Sequence, residues 1–230
     1  MRLIFIILNV LLFANIYLYS TERELNNPKA VQRVLILGNS IVKHKPAPTI
    51  GWKGNWGMAA SVKDSDFVHI LIRKIRNEKN NCKVRFMNIA VFERTYTTFE
   101  ISTLKSLKDY KPDLIVIKIS ENVTDSSAIK DNFLGAYKKL IEYLDQDKNA
   151  VKVIVEGFWD KQQANKIAKQ VAEEGKFDFV QLSDLSKDKT NMAFGKFKNQ
   201  GVAMHPSDQG MRLIANRIWA VINRYFTNDY

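Results

Sequence analysis

Apolar residues follow two rhythms along this chain. Short, largely apolar runs, at 34–37 (VLIL), 113–119 (DLIVIKI) and 151–155 (VKVIV), alternate with longer stretches in which apolar positions recur every three or four residues. Unbroken Val/Ile/Leu runs are the pattern of a strand buried on both faces, and the 3.6-residue rhythm is that of a helix with one face on a core. The pattern predicts strands at 34–37, 83–91 (KVRFMNIAV), 113–119, 151–159 (VKVIVEGFW) and 177–182 (FDFVQL). Helices are predicted over 64–76, through Phe67, Val68, Leu71 and Ile75; over 98–110, ended by Lys111-Pro112; and over 126–144, through Phe133, Tyr137, Leu140, Ile141 and Leu144. Two more follow at 161–174 and 207–226, the last with Met211, Ile214, Ile218 and Ile222 on one face. The stretch 43–61 holds Pro46, Pro48, Gly51, Gly54 and Gly57 without periodicity and predicts a loop. Strands alternating with helices imply parallel pairing through right-handed crossovers. The expected fold is therefore α/β: a single, doubly wound, five-stranded and mainly parallel sheet.

The first twenty residues, MRLIFIILNVLLFANIYLYS, break this pattern with a positive start at Arg2 and a long apolar run. They resemble a secretory leader. Residues 1–22 are expected to be a signal peptide, cut near Ala14 or Ser20, or an uncleaved membrane anchor; 23–32 form a connector, and 33–230 the folded domain. The protein is thus expected to be exported, to the periplasm or the exterior. A net charge of +11 would suit nucleic acid, a membrane surface or an acidic polymer. Export argues against nucleic acid, and the lysines are scattered (IRKIRNEKNN, YKKL, FGKFKN) rather than massed, which points to a solvated surface. Cys82 is the only cysteine, which excludes an internal disulfide and a Cys-rich zinc site. Oligomeric state is not legible.

In an open α/β sheet, chemistry gathers at the carboxyl ends of the strands. There the chain places Gly38-Asn39-Ser40, Ser120-Glu121-Asn122 and Glu156-Gly157-Phe158-Trp159, and just before the last helix MHPSDQGM with His205. Ser40 either caps the segment that follows or acts as a nucleophile. A serine needs a base, for which a histidine of pKa about 6.5 is suited, and the resulting oxyanion needs fixed N–H donors. Asn122 suits that role, as does a glycine in the loop after Ser40, whose backbone can approach a ligand closely. His44, on the Pro-rich loop, reads as exposed, and His69 as helix surface or core edge. The three histidines lack metal-ligand spacing, so neither metal nor cofactor is implied.

The ordered set LGNSI, GWKGNWGMAAS, SENV and HPSDQGM resembles the four conserved blocks of the SGNH (GDSL-like) hydrolase superfamily, over about residues 33–225. The loop block looks like that of bacterial members expected to act on acylated carbohydrates. The resemblance implies a flavodoxin-like strand order, Ser40 as nucleophile, His205 as base, and an oxyanion hole from Ser40 N–H, Gly57 N–H and the Asn122 side chain. Three positions depart from it: Asn39 stands where Asp is usual, Ser120 where Gly is common, and Val202 where the acid three residues before the histidine belongs. Glu121, Asp208 or a backbone carbonyl could replace that acid. Glu121 or a Ser-His dyad is favoured, because Asp208 also suits a helix start. Trp52, Trp56 and Trp159 are expected to stack on sugar or to wedge the loop, and Trp219 to be core. The expected function is an exported serine esterase that removes small acyl groups, acetyl first, from a carbohydrate. Alternatives are an acyltransferase using the same site and a non-catalytic carbohydrate-binding relative.

Overall fold

The computed structural model describes residues 31–227. The predicted leader at 1–22 and nearly all of the connector lie outside the described residues. Five strands form one sheet: β1 (Arg33–Gly38), β2 (Lys83–Asn88), β3 (Leu114–Ile117), β4 (Val151–Val155) and β5 (Asp178–Val180). All pairs are parallel, in the order β2-β1-β3-β4-β5. Alternation of side chains along a strand explains why the runs are apolar throughout. Val34 and Ile36 of β1 face one core with Leu114, Val116, Val153 and Val155, whereas Leu35 and Leu37 face the other with Ile115, Ile117 and Ile154. At the edge, β2 (KVRFMN) alternates exposed and half-buried residues, and its Lys83 and Arg85 discourage further pairing.

Helices α1 (Phe67–Glu78) and α8 (Asp208–Ile222) cover the first face, through Leu71 and Ile75 on one and Met211, Ile214 and Ile218 on the other. The second face is covered by α2 (Ala90–Thr95), α3 (Lys105–Lys108), α4 (Asp125–Lys130), α5 (Phe133–Leu144) and α6 (Gln162–Gly175). A four-residue helix, α7 (Gln200–Ala203), precedes His205. Among the described residues no helix is long and apolar enough to cross a membrane.

The strands predicted over 113–119 and 151–159 stop at Ile117 and Val155, and three further departures from the periodicity have a visible local cause. The strand predicted over 83–91 stops at Asn88, whose side chain accepts from Ala90 N–H and starts α2. The helix predicted over 98–110 is a 3-10 turn, Ile101–Leu104, running into α3, with Glu100 accepting from Ser102 N–H at its start. The helix predicted over 126–144 is broken at Asn132, which takes φ +54° and caps α5 by accepting from Gly135 N–H at 3.0 Å. Asparagine tolerates that left-handed conformation better than other non-glycine residues, so the break costs little.

Gly38 ends β1 where two parts of the chain crowd it. A Cβ there would meet Lys118 O at 2.7 Å and Val42 Cγ2 at 2.5 Å. Gly38→Ala should therefore lower stability by about 1–3 kcal/mol through overpacking, read as a lower urea midpoint at unchanged slope.

Candidate active site

β1 delivers Ser40 two residues past its end, in a turn closed by Val42 N–H and Lys43 N–H donating to Asn39 O. Met58 N–H donates to Ser40 O at 2.8 Å and ties this turn to the loop. His205 reaches the same place from the far end of the chain: Ser40 Oγ and His205 Nε2 lie 2.8 Å apart, 165 residues distant in sequence. The other ring nitrogen, Nδ1, lies 2.7 Å from Gly201 O. A carbonyl can only accept, so Nδ1 carries the proton, and in the neutral ring Nε2 is left to accept from the serine hydroxyl. That is the tautomer a general base requires. Its cause is local, because α7 ends here and His205 N–H donates to Val202 O, leaving Gly201 O to be satisfied by the imidazole. Burial of the ring pushes its pKa down to about 4, against a smaller upward pull from Gly201 O; the charges of His44 and Lys118 add to the lowering.

The expected carboxylate partner is not at the imidazole. Glu121, expected there, is instead turned away from the ring, accepting from Asn39 Nδ2 at 2.7 Å, from Phe158 N–H at 3.0 Å and from the Lys118 ammonium. Asp208, the first residue of α8, accepts from Ser61 N–H at 2.7 Å and Ser61 Oγ at 2.6 Å, so it holds the loop rather than the histidine. Val202 is fully buried beside Trp52, Met58, Ala59 and Ala193. Of the three substitutes weighed, the backbone carbonyl is the one that stands at Nδ1.

Two expected oxyanion donors stand open and one does not. Ser40 N–H meets no acceptor among the described residues. The Asn122 side chain donates one N–H to Glu93 Oε2 at 2.7 Å and accepts from Arg94 at 2.8 Å, which leaves its second amide hydrogen. Gly57 N–H instead donates to Asp66 Oδ2 at 2.9 Å. Asp66 is fully buried and also caps α1, accepting from His69 N–H at 2.7 Å, with His69 Nδ1 at 2.8 Å. Gly57 still must be glycine, because a Cβ would lie 2.6 Å from Ile41 O.

The tryptophans divide. Trp159 stands edge-on to His205, ring centroids 5.3 Å apart, with its Nε1–H donating to Met204 O. Trp56 is half-buried, and its Nε1–H donates to Ala60 O. Trp52 is 2% exposed, packs against Trp56 and Phe197, and donates to His44 O, so it wedges the loop and cannot stack on an external sugar. Trp219 is half-buried, stacked on Phe226 and packed against the first core. His44 is half-buried rather than exposed.

Periodicity gave no notice of Glu93 and Lys118. Glu93, 1% exposed, is the fourth residue of α2 and lies beneath Asn39 and Asn122; burial raises its pKa against the opposing pull of hydrogen bonds from Asn122, Asn39 and Ser120. Lys118 is fully buried, and desolvation lowers it to about 7 despite the nearby carboxylates of Glu93 and Glu156. The signal was a lysine inside an apolar run, since a charge there requires a partner. Among the described residues no group of three His, Cys, Asp or Glu side chains is arranged to hold a metal.

Comparison with known proteins yields matches among solved structures only. No protein-family model matches the chain, and no curated protein does. A two-domain esterase active on acetylated mannans matches over 92% of this chain and 54% of its own, at 16% identity and a TM-score of 0.59. The chain thus spans about half the length of that esterase. An acetylxylan esterase from Geobacillus stearothermophilus matches over 88% of this chain and 99% of its own, at 16% identity and 0.52. An alpha/beta hydrolase enzyme from the metagenome of Lake Arreo, Spain, matches over 85% and 97%, at 15% identity and 0.55. The fold is shared with carbohydrate esterases.

Three outcomes follow from the settings of His205 and Val202. Ring 15N NMR should find His205 neutral, protonated at Nδ1, down to about pH 5, titrating near 4. Between about pH 6.5 and 4 the unfolded chain takes up a proton that the native ring refuses, so stability from this group falls as pH drops through that window. Val202→Asp, which restores an acid at the usual position, should bury a carboxylate among Trp52 and Met58 and destabilise the fold by about 3–5 kcal/mol, measured by urea denaturation.

Proposed function

We propose that this chain is an exported serine esterase that removes acetyl groups from a carbohydrate through an acyl-enzyme on Ser40. The observation that carries the reading is the Ser40–His205 contact with the imidazole held in the base tautomer by Gly201 O. The shared fold with esterases of acetylated mannans and xylans supports the substrate class. The N-terminal sequence, with Arg2 before its apolar run, supports export.

In this mechanism Ser40 Oγ attacks the acyl carbonyl carbon while His205 Nε2 takes its proton. The C=O pair moves onto oxygen, and the oxyanion is met by Ser40 N–H and the second amide hydrogen of Asn122. The tetrahedral intermediate collapses, the bond to the sugar oxygen breaks, and Nε2–H returns the proton to that oxygen. Water then enters, Nε2 deprotonates it, and the same sequence releases acetate and restores Ser40. Gly201 O keeps the Nδ1 proton in place throughout. A misplaced tautomer costs a triad about 10⁴-fold, and the carbonyl avoids that loss without a carboxylate. What it does not supply is a negative charge for the imidazolium, which accords with the low pKa of the ring.

Turnover of p-nitrophenyl acetate should be measurable and should fall by about 10³-fold or more in both Ser40→Ala and His205→Ala, with acetylated mannan or xylan oligosaccharides deacetylated by the parent protein only. Turnover that survives both substitutions, or is absent in the parent, overturns the reading.

A further inference from the structure

Asn122 can serve an oxyanion only if its amide is held one way round, and two neighbours on one helix hold it. Register places Asn88, the end of β2, beside Gly38, the end of β1, and Ile89 N–H donates to Gly38 O at 2.6 Å. The chain then turns into α2, whose fourth and fifth residues are Glu93 and Arg94. Glu93 collects four N–H groups: Asn122 Nδ2 at 2.7 Å on Oε2, and Ser120 N at 2.7 Å, Asn39 Nδ2 at 3.2 Å and Asn122 N at 3.4 Å on Oε1. Arg94, exposed, donates to Asn122 Oδ1 at 2.8 Å. A carboxylate surrounded by these donors must face the amide's NH2 end, and a guanidinium, which only donates, must face its oxygen. The two contacts therefore select the same orientation, and the planar amide leaves its remaining hydrogen in one direction.

We propose that Glu93 and Arg94 are positioning residues that clamp the Asn122 amide so that its free N–H is set before the oxyanion forms. This rests on the reading of Asn122 as an oxyanion donor. Binding of ground-state substrate does not require the clamp; stabilisation of the tetrahedral state does. Glu93→Gln keeps size and burial but brings an NH2 group against a cluster of donors, so either Asn122 rotates its amide, and then opposes Arg94, or a buried N–H loses its partner. A role in packing alone would survive that change.

The experiment is a pair of double-mutant cycles read as kcat and KM on p-nitrophenyl acetate. Asn122→Ala should lower kcat about 100-fold with KM within about threefold. Glu93→Gln should lower kcat about 10- to 100-fold and Arg94→Ala about 3- to 10-fold, again with little change in KM. In the Asn122→Ala background each should cost less than about twofold more, because the group it positions is gone. Full additivity of both substitutions with Asn122→Ala, or normal kcat in both single variants, overturns the clamp. If Asn122→Ala itself keeps its kcat, the oxyanion reading of Asn122 fails, and the clamp with it; if only that variant loses activity, the clamp alone fails. Should Glu93→Gln not fold, the Arg94 cycle decides, since its side chain is exposed and no core packing depends on it.

Discussion

Beside Ser40 in the chain, the side-chain amide of Asn39 bridges two buried carboxylates, donating to Glu93 Oε1 at 3.2 Å and to Glu121 Oε2 at 2.7 Å. Much of the rim is arranged around that contact. A buried carboxylate costs several kcal/mol unless its oxygens are well supplied with donors. Here the donors are Ser120 N–H, Asn122, Phe158 N–H and the Lys118 ammonium, drawn from the segments that follow β3 and β4. The ends of β1, β3 and β4 and the start of α2 are thereby joined through side chains, beyond what the backbone ladder of a parallel sheet provides. The same arrangement accounts for Asn39 standing where the resemblance calls for an aspartate. A third carboxylate there would face Glu93 and Glu121 with no hydrogen to give either of them.

Above that network, the histidine is oriented by a peptide carbonyl. A carboxylate in that position does two things: it selects the tautomer, and it stabilises the imidazolium. Gly201 O does the first, and only a dipole is left for the second. Burial lowers the pKa of the ring to about 4 against the smaller upward pull of Gly201 O, so the ring is neutral and weakly basic over the ordinary pH range. A substrate with a good leaving group asks least of such a base, and acyl esters of sugars are less demanding than amides in this respect. Three residues before the histidine, α7 turns the Val202 side chain into the apolar cluster of Trp52, Met58, Ala59 and Ala193.

Two acids that resemble ordinary helix-start residues hold the loop beside Ser40. Asp66 caps α1 and takes Gly57 N–H; Asp208 begins α8 and takes both donors of Ser61. Because α1 and α8 pack on the same face of the sheet, the loop is anchored at two points to a rigid pair. Ala59, between those points, is held at φ +73°, a conformation costing about 1–2 kcal/mol for a residue with a Cβ. The Trp52 wedge and the Met58 bond to Ser40 O add to the fixation. A loop tied down at this many points holds its geometry beside Ser40 without rearrangement.

The sheet and the polar rim at its carboxyl end are legible in the order of residues alone. Apolar runs and helical stripes specify five strands and their covering helices, because alternation and 3.6-residue periodicity are local consequences of backbone geometry. The right-handed crossover rule then places Ser40, Asn122 and His205 at one end of the sheet. The break at Asn132 and the short α2 escaped that reading, since one residue's φ and a side chain's bond to Ala90 N–H leave no periodic trace. The orientation of each polar side chain emerges once distant segments are packed together. Glu121 lies one residue from Asn122 on the expected rim, yet its carboxylate goes to Asn39, 82 positions away, and to Lys118. Gly57 has the expected type and position, yet Asp66 takes its N–H. Which partner a buried polar group finds depends on donors that distant segments bring within 3 Å, and in low dielectric that choice is worth several kcal/mol. No spacing along the chain encodes it.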